Sequence, residues 1–287
     1  MSRFLPCVIP FLVLLAGCEA SLDVDLTDGP LDGADAVVLR VEGIDLLRED
    51  GNVVSVETEA TDVDFLQYRN GTTLRLVEGA EVPAARYTGV RLRLAGEGSY
   101  LSRNDGGEVP VEVPEDGDFA SADLSIGDED EAGLLLDLEL RLSLDDESDT
   151  SGSYRLTPVL RAMEADSTGT VAGVVADSLV EDDSCRGDRA LLRGVAVYAW
   201  AGHGATPVDY ARDDSLRSQP LSVAAVYDDG DQYRYRFSYL PEGSYTLALT
   251  CDADAERPAS ADELGFIRRR NVTAAQGETA SIDFTAD

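Results

Sequence analysis

Apolar and polar residues alternate along much of this chain, and no segment holds a helical period over several turns. Val90-Arg91-Leu92-Arg93-Leu94 is the cleanest case: period two sends the aliphatic residues to one face of a strand and the arginines to the other. Ala36–Val41, Val53–Glu57, Thr73–Val77, Val109–Val113, Leu134–Leu144 and Tyr154–Leu160 read as further strands. Arg48-Glu49-Asp50-Gly51-Asn52 and Asn70-Gly71 read as tight turns, because Asp-Gly, Gly-Asn and Asn-Gly pairs supply the positive φ such turns need. Strand text continues at Val171–Val175, Gly194–Trp200, Tyr233–Tyr239, Tyr245–Leu249, Arg270–Ala275 and Ala280–Phe284. Short strands punctuated by Gly, Pro and Asp predict an all-β chain built as β-sandwiches.

The pattern pauses at residues 165–170, a short Asp/Ser/Thr/Gly stretch read as a linker. It separates a sandwich at 22–164 from a second at 171–287, and a chain of 287 residues suits about two domains. Both halves contain the same local text. Pro83 and Pro241 are each followed, after three intervening residues, by Tyr-Thr and then a strand. One strand-entry device used twice explains the likeness.

The start of the chain has a different character. Phe4–Leu15 is apolar, follows Arg3 and is interrupted by Pro6 and Pro10. A membrane-spanning helix needs about 20 apolar residues, whereas a signal-peptide core needs about 7–15. The run ends in Leu15-Ala16-Gly17-Cys18, which resembles a bacterial lipobox. That resemblance implies a lipoprotein signal peptide at 1–17 and acylation of Cys18, whose thiolate accepts the lipid. It also implies a mature protein held in the cell envelope, with Glu19 pointing to the outer membrane. Residues 18–21 then form a very short tether, since Glu19 to Ser21 reach only about 10 Å when extended.

A second resemblance covers about Leu22 to Glu164. Leu26-Thr27-Asp28-Gly29-Pro30, Val63-Asp64-Phe65-Leu66, Asn70-Gly71-Thr72, Val82–Leu92, Leu135-Leu136-Asp137-Leu138 and Tyr154–Leu160 resemble, in order, the signatures of domain-of-unknown-function family 4382. One departure is Gly29, where that family more often has Ala. The family carries no established activity. The strand order after Val171, with Pro241-Glu242-Gly243-Ser244-Tyr245, is similar to the carboxypeptidase regulatory-like and Cna-B-like domains, which are small transthyretin-like sandwiches.

Charge narrows the partners. The formal charge is −33, and all 23 basic residues are arginine. Nucleic-acid binders need a basic footprint, and anionic leaflets attract basic segments, so neither surface is expected as a partner. The acidic runs Asp128–Glu131, Asp145–Glu147 and Asp228–Asp231 are read as solvated loops, with calcium as the alternative occupant. Asp23-x-Asp25-x-x-Asp28-Gly29 misses the spacing of an EF-hand loop. No cofactor is otherwise expected.

Cys185 and Cys251 are expected to pair in an oxidising compartment, two free thiols being the alternative. Closing that loop would stabilise by about 4 kcal/mol on the chain-entropy account. No Gly-x-Ser-x-Gly elbow, His-Glu-x-x-His or Gly-x-Gly-x-x-Gly occurs, so no enzyme is expected. His203 is the only histidine and Trp200 the only tryptophan, and both are weak candidates for ligand contact. Tyr233, Tyr235, Phe237 and Tyr239 share one strand face. That row is core if it points inward and a sugar-stacking surface if it points outward. The resulting expectation is a non-enzymatic binding, adhesion or scaffold lipoprotein with an unidentified protein or glycan ligand. The alternatives are an accessory carbohydrate-binding lipoprotein and a hydrolase using two carboxylates.

Overall fold

The structure is a computed structural model and describes residues 19–114, 117–147, 151–186, 192–212, 218–261 and 264–286. Residues 1–18, which hold the expected signal peptide and the expected acylation site Cys18, lie outside the described residues. The described chain is all-β and forms two sandwiches, each with its own pair of sheets.

In the first sandwich, one sheet has the order 160–164, 131–138, 19–28, 74–83. The strand Glu19–Asp28 runs parallel to Glu131–Leu138 and antiparallel to Leu74–Pro83. The facing sheet has eight strands centred on Ala34–Arg48. That long strand pairs Val53–Asp64 along one edge, and Tyr100–Arg103 then Ala85–Leu94 along the other. Leu22, Leu39, Ile44, Val90, Leu136 and Phe65 fill the space between the sheets, all at 0 % exposure. The alternation at 90–94 places Val90 and Leu92 in this core, while Arg91 and Arg93 reach Asp45 and Glu57 on the outer face.

The second sandwich packs the sheet 227–228, 233–241, 168–175, 279–281 on the sheet 222–225, 196–201, 243–250, 266–274. Its core holds Val171, Val197, Tyr235, Phe237, Leu247 and Phe284. Cys185 and Cys251 are disulfide-bonded within it, with α-carbons 5.1 Å apart.

The repeated Pro-Tyr text proves to be one device. Tyr87 Oη donates to Pro83 O at 2.7 Å, and Tyr245 Oη donates to Pro241 O at 2.7 Å. In both cases the chain leaves one sheet at the proline and enters the facing sheet at the tyrosine. A buried ring plus a hydrogen bond four residues back fixes the angle of that corner, as in the tyrosine corners of other sandwiches.

Several boundaries differ from expectation. Residues 19–21 are strand rather than tether, with Ser21 paired to Glu131 and Glu81. The second sandwich begins at Thr168, inside the presumed linker, so the chain crosses between sandwiches in the three-residue turn Ala165–Ser167. Leu134–Leu144 is not one strand. It breaks at Glu139 into the helical turn Leu140–Ser143. Period two held through the break because both faces are covered: Leu140 packs in the first core, and Leu142 packs against the second sandwich.

Candidate functional site

The residues that strand alternation sends outward from the two sandwiches meet each other. Leu142 from the first sandwich packs with Ala196, Tyr198, Trp200, Val223 and Ala248 from the second. Trp200 is at 0 % exposure, stacked beside Tyr198 and edge-on to Phe266 at 5.2 Å between ring centres. Trp200 therefore meets no surface ligand, which corrects its candidacy. The outward face of its strand is a second interior.

Around this apolar patch lie two ionic clusters. In the first, Arg141 is 4 % exposed, donates to Asp32 at 3.0 Å and donates to Ala253 O at 2.6 Å across the junction. Asp32 also accepts from the backbone N–H of Gly194 at 3.1 Å. Tyr198 Oη donates to Glu256 at 3.1 Å, and burial pushes the Tyr198 hydroxyl well above its ordinary range. Nearby, Arg212 pairs with Asp145 at 2.7 Å. Asp145 is thus buried and paired across the junction, which corrects its reading as part of a solvated loop, while Asp146 stays exposed and Glu147 pairs with Arg155 at the surface. Cations and carboxylates roughly match in this cluster.

In the second cluster they do not. Asp28, Asp137 and Glu139 are 7 %, 6 % and 0 % exposed. The one buried cation among them is Arg161, ion-paired to Asp137 and 3.4 Å from Glu139. Arg161 also donates to Tyr239 O and to the Ser222 hydroxyl of the second sandwich. Glu139 Oε2 accepts from the Val223 N–H at 3.3 Å, and Asp28 Oδ1 accepts from the Leu140 N–H at 3.2 Å, capping the helical turn. Asp28 Oδ2, Asp137 Oδ1 and Glu139 Oε1 have no hydrogen-bond partner. Asp28, Asp137 and Glu139 are among the residues around a cavity of about 160 Å³ between the sandwiches. Burial, then the Asp137 charge, push Glu139 up to about 7, against the pull of Arg161. Burial and Asp137 push Asp28 well up in the same way.

Gly29 has its reason here. A Cβ at that position would stand 2.6 Å from Glu139 Oε2, so the methyl of an alanine and the buried carboxylate compete for one space.

His203 is exposed in its loop, its Nε2 3.0 Å from Val272 O. Tyr233, Tyr235 and Phe237 are core, and Tyr239 is half-buried with its hydroxyl on Gly71 O of the first sandwich. The aromatic row therefore packs and does not present stacking faces, which removes the basis for the carbohydrate-binding alternative. Asp23 and Asp25 share Arg75, and Asp28 is buried. Among the described residues no group of three or more His, Cys, Asp or Glu is arranged to hold a metal ion. An open polar groove of about 580 Å³ crosses the eight-stranded sheet, lined by Asp45, Ser55, Glu57, Arg91, Arg93 and Pro158.

This architecture defines an all-β protein of two sandwiches with a buried, partly ionic junction. Residues 19–158 match a family model described as a domain of unknown function, DUF4382, so the first sandwich is supported as a domain of that family. No curated protein matches the chain. Among solved structures, the Bacillus anthracis TIE protein is similar at 12% identity and a TM-score of 0.21, over 92% of this chain and 34% of that one. A proposed adhesin of Bacteroides ovatus is similar at 11% identity and 0.24, over 100% of each chain. BcpA, the major pilin subunit of Bacillus cereus, is similar at 12% and 0.22, over 92% of this chain and 99% of that one. The chain thus spans about a third of the first of these, and scores this low bear on neither fold nor function. No enzyme family is indicated.

Proposed function

We propose that the chain is a non-enzymatic, lipid-anchored envelope protein that presents two locked sandwiches as one stiff binding or scaffold module. The observation that carries this reading is the junction. A module that only spaces or decorates needs a linker, whereas this chain crosses in three residues and buries Trp200, Leu142, Arg141, Arg161 and Glu139 between its halves. Such burial fixes the relative orientation of the two loop sets. The likeness of the second sandwich to carboxypeptidase regulatory-like and Cna-B-like domains fits an accessory role, and the lipobox at Leu15–Cys18 supplies the anchor. With the aromatic row buried, the groove around Asp45, Arg91 and Arg93 is the proposed ligand-contact surface.

Two measurements test this. Cys18→Ser should abolish fatty-acid labelling and release the protein from membranes, and retained labelling would refute the anchor. A screen of protein and glycan ligands, with and without calcium, should yield binders that Arg93→Glu weakens at least about ten-fold, because reversing one close charge changes a contact by about 1.4 kcal/mol or more. Binders indifferent to that substitution would move the surface elsewhere.

A further inference from the structure

The unbalanced cluster at the junction poses a physical problem. Three carboxyl groups enclosed with one buried guanidinium cannot all remain charged, because an uncompensated charge in a dry site costs several kcal/mol. Asp28 Oδ2 and Asp137 Oδ1 are buried without a hydrogen-bond donor, and Glu139 Oε1 has only the Arg161 guanidinium at 3.4 Å. A shared proton cuts the excess from two negative charges to one and supplies one donor in the same step. Glu139 is the member best placed to hold it, since it is fully enclosed and its Oε1 has no hydrogen bond, only the Arg161 guanidinium 3.4 Å away. Its other oxygen meets the Val223 N–H of the opposite sandwich.

We propose that this junction is a proton-operated latch: Glu139 carries the proton that lets the two sandwiches stay closed, and losing it loosens them.

The charged and titratable groups around Glu139 are few. Asp28 comes from the strand Glu19–Asp28, Asp137 from its own strand and Arg161 from Leu160–Glu164. Arg236, Tyr227 and Tyr239 face the cavity from the second sandwich, and Arg69 faces it from the turn after Phe65–Gln67. No histidine lines this cavity. A carboxyl group protonated when closed and ordinary when open binds more protons in the closed state, so raising the pH favours opening. The window runs from the ordinary glutamate value of 4.5 to about 7. Across it the closed-to-open ratio falls, because the open state releases a proton that the closed state holds. Asp28, pushed up by the same burial, acts in the same direction.

The chain carries its own reporter. Trp200 is the only tryptophan and is buried in the junction, so its emission and quenching follow opening without interference. The Val223 amide, bonded to Glu139, gives a site-resolved measure of the minor open state through hydrogen exchange. In the full-length chain in detergent, the Val223 protection factor should fall at least about ten-fold between about pH 5 and pH 8.5, while that of the Leu22 amide in the first core stays level. Trp200 should become more quenchable over the same range. Glu139→Gln should flatten both profiles, and His203→Gln, which alters an exposed loop, should leave them as they are.

Protection of Val223 that is independent of pH, or an unchanged profile in Glu139→Gln, would overturn the latch. If Glu139→Gln fails to fold, Asp137→Asn decides. Removing that charge should shift the midpoint to lower pH, and an unmoved midpoint would overturn the proposal.

Discussion

The interiors of the two sandwiches and the junction between them are equally dry but are built from opposite materials. The interiors are aliphatic and aromatic, with their few polar atoms committed, such as the two tyrosine hydroxyls on Pro83 O and Pro241 O. The junction is part apolar and part ionic, and it crowds the carboxylates of Asp28, Asp137 and Glu139 around one arginine. Hydrophobic burial is indifferent to orientation and seals a core cheaply. A buried ion pair contributes little net stability, yet it is costly to mismatch, so it specifies which face meets which. Each sandwich is thus held by burial, while their mutual orientation is held by charge.

The largest expected effect tests whether the junction couples the two halves. Replacing both Cys185 and Cys251 by Ser removes a cross-link that closes a 66-residue separation inside the second sandwich only. It should cost about 4 kcal/mol. If the junction welds the halves, urea unfolding of the full chain stays a single transition that moves to lower denaturant. Two separated transitions, with only the later one unmoved, would show the halves to be independent. The second effect is local to the weld. Arg161→Met leaves Asp137 and Glu139 without their cation and should cost about 3 kcal/mol, the low end for breaking a buried pair. Adding Glu139→Gln to Arg161→Met should recover part of that loss, which a purely steric role for Arg161 would not allow.

How much of this was legible depends on which side of a strand a residue occupies. The core faces follow from period two, and Val90, Leu92, Tyr235 and Phe237 lie where alternation sends them. The junction was illegible for the same reason. Alternation labels Asp137, Arg161, Tyr198 and Trp200 as outward, and outward means solvent unless another domain is known to sit there. The helical turn Leu140–Ser143 hid in a pattern of the strand type, because all four of its residues are buried, two against different partners. One sequence signal did point to the site. Gly29, the departure from the family's usual Ala, marks the position where Glu139 needs room. The acidic run Asp145–Glu147 misled because abundance of acids hides the few that are buried: Asp145 is one residue among 56 acids, and only the position of Arg212 distinguishes it.

The smallest effect compares the two corners directly. Tyr87→Phe and Tyr245→Phe each delete one hydroxyl and leave the ring, its packing and the strand intact. Each strands a proline carbonyl that had a 2.7 Å donor, so each should cost about 1 kcal/mol. Equal costs would mean that the corner is a portable part, indifferent to the sheet it feeds, since Tyr87 opens a strand of the eight-stranded sheet and Tyr245 a strand of a four-stranded one. A markedly larger cost at Tyr245 would point to the junction instead. Tyr245 begins the strand whose Ala248 packs against the junction tryptophan cluster, and any change in its entry angle is carried into that cluster. Tyr87 has no such neighbour, so the double substitution should be additive if the corners act alone, and the shortfall from additivity measures how far the junction transmits strain between the sandwiches.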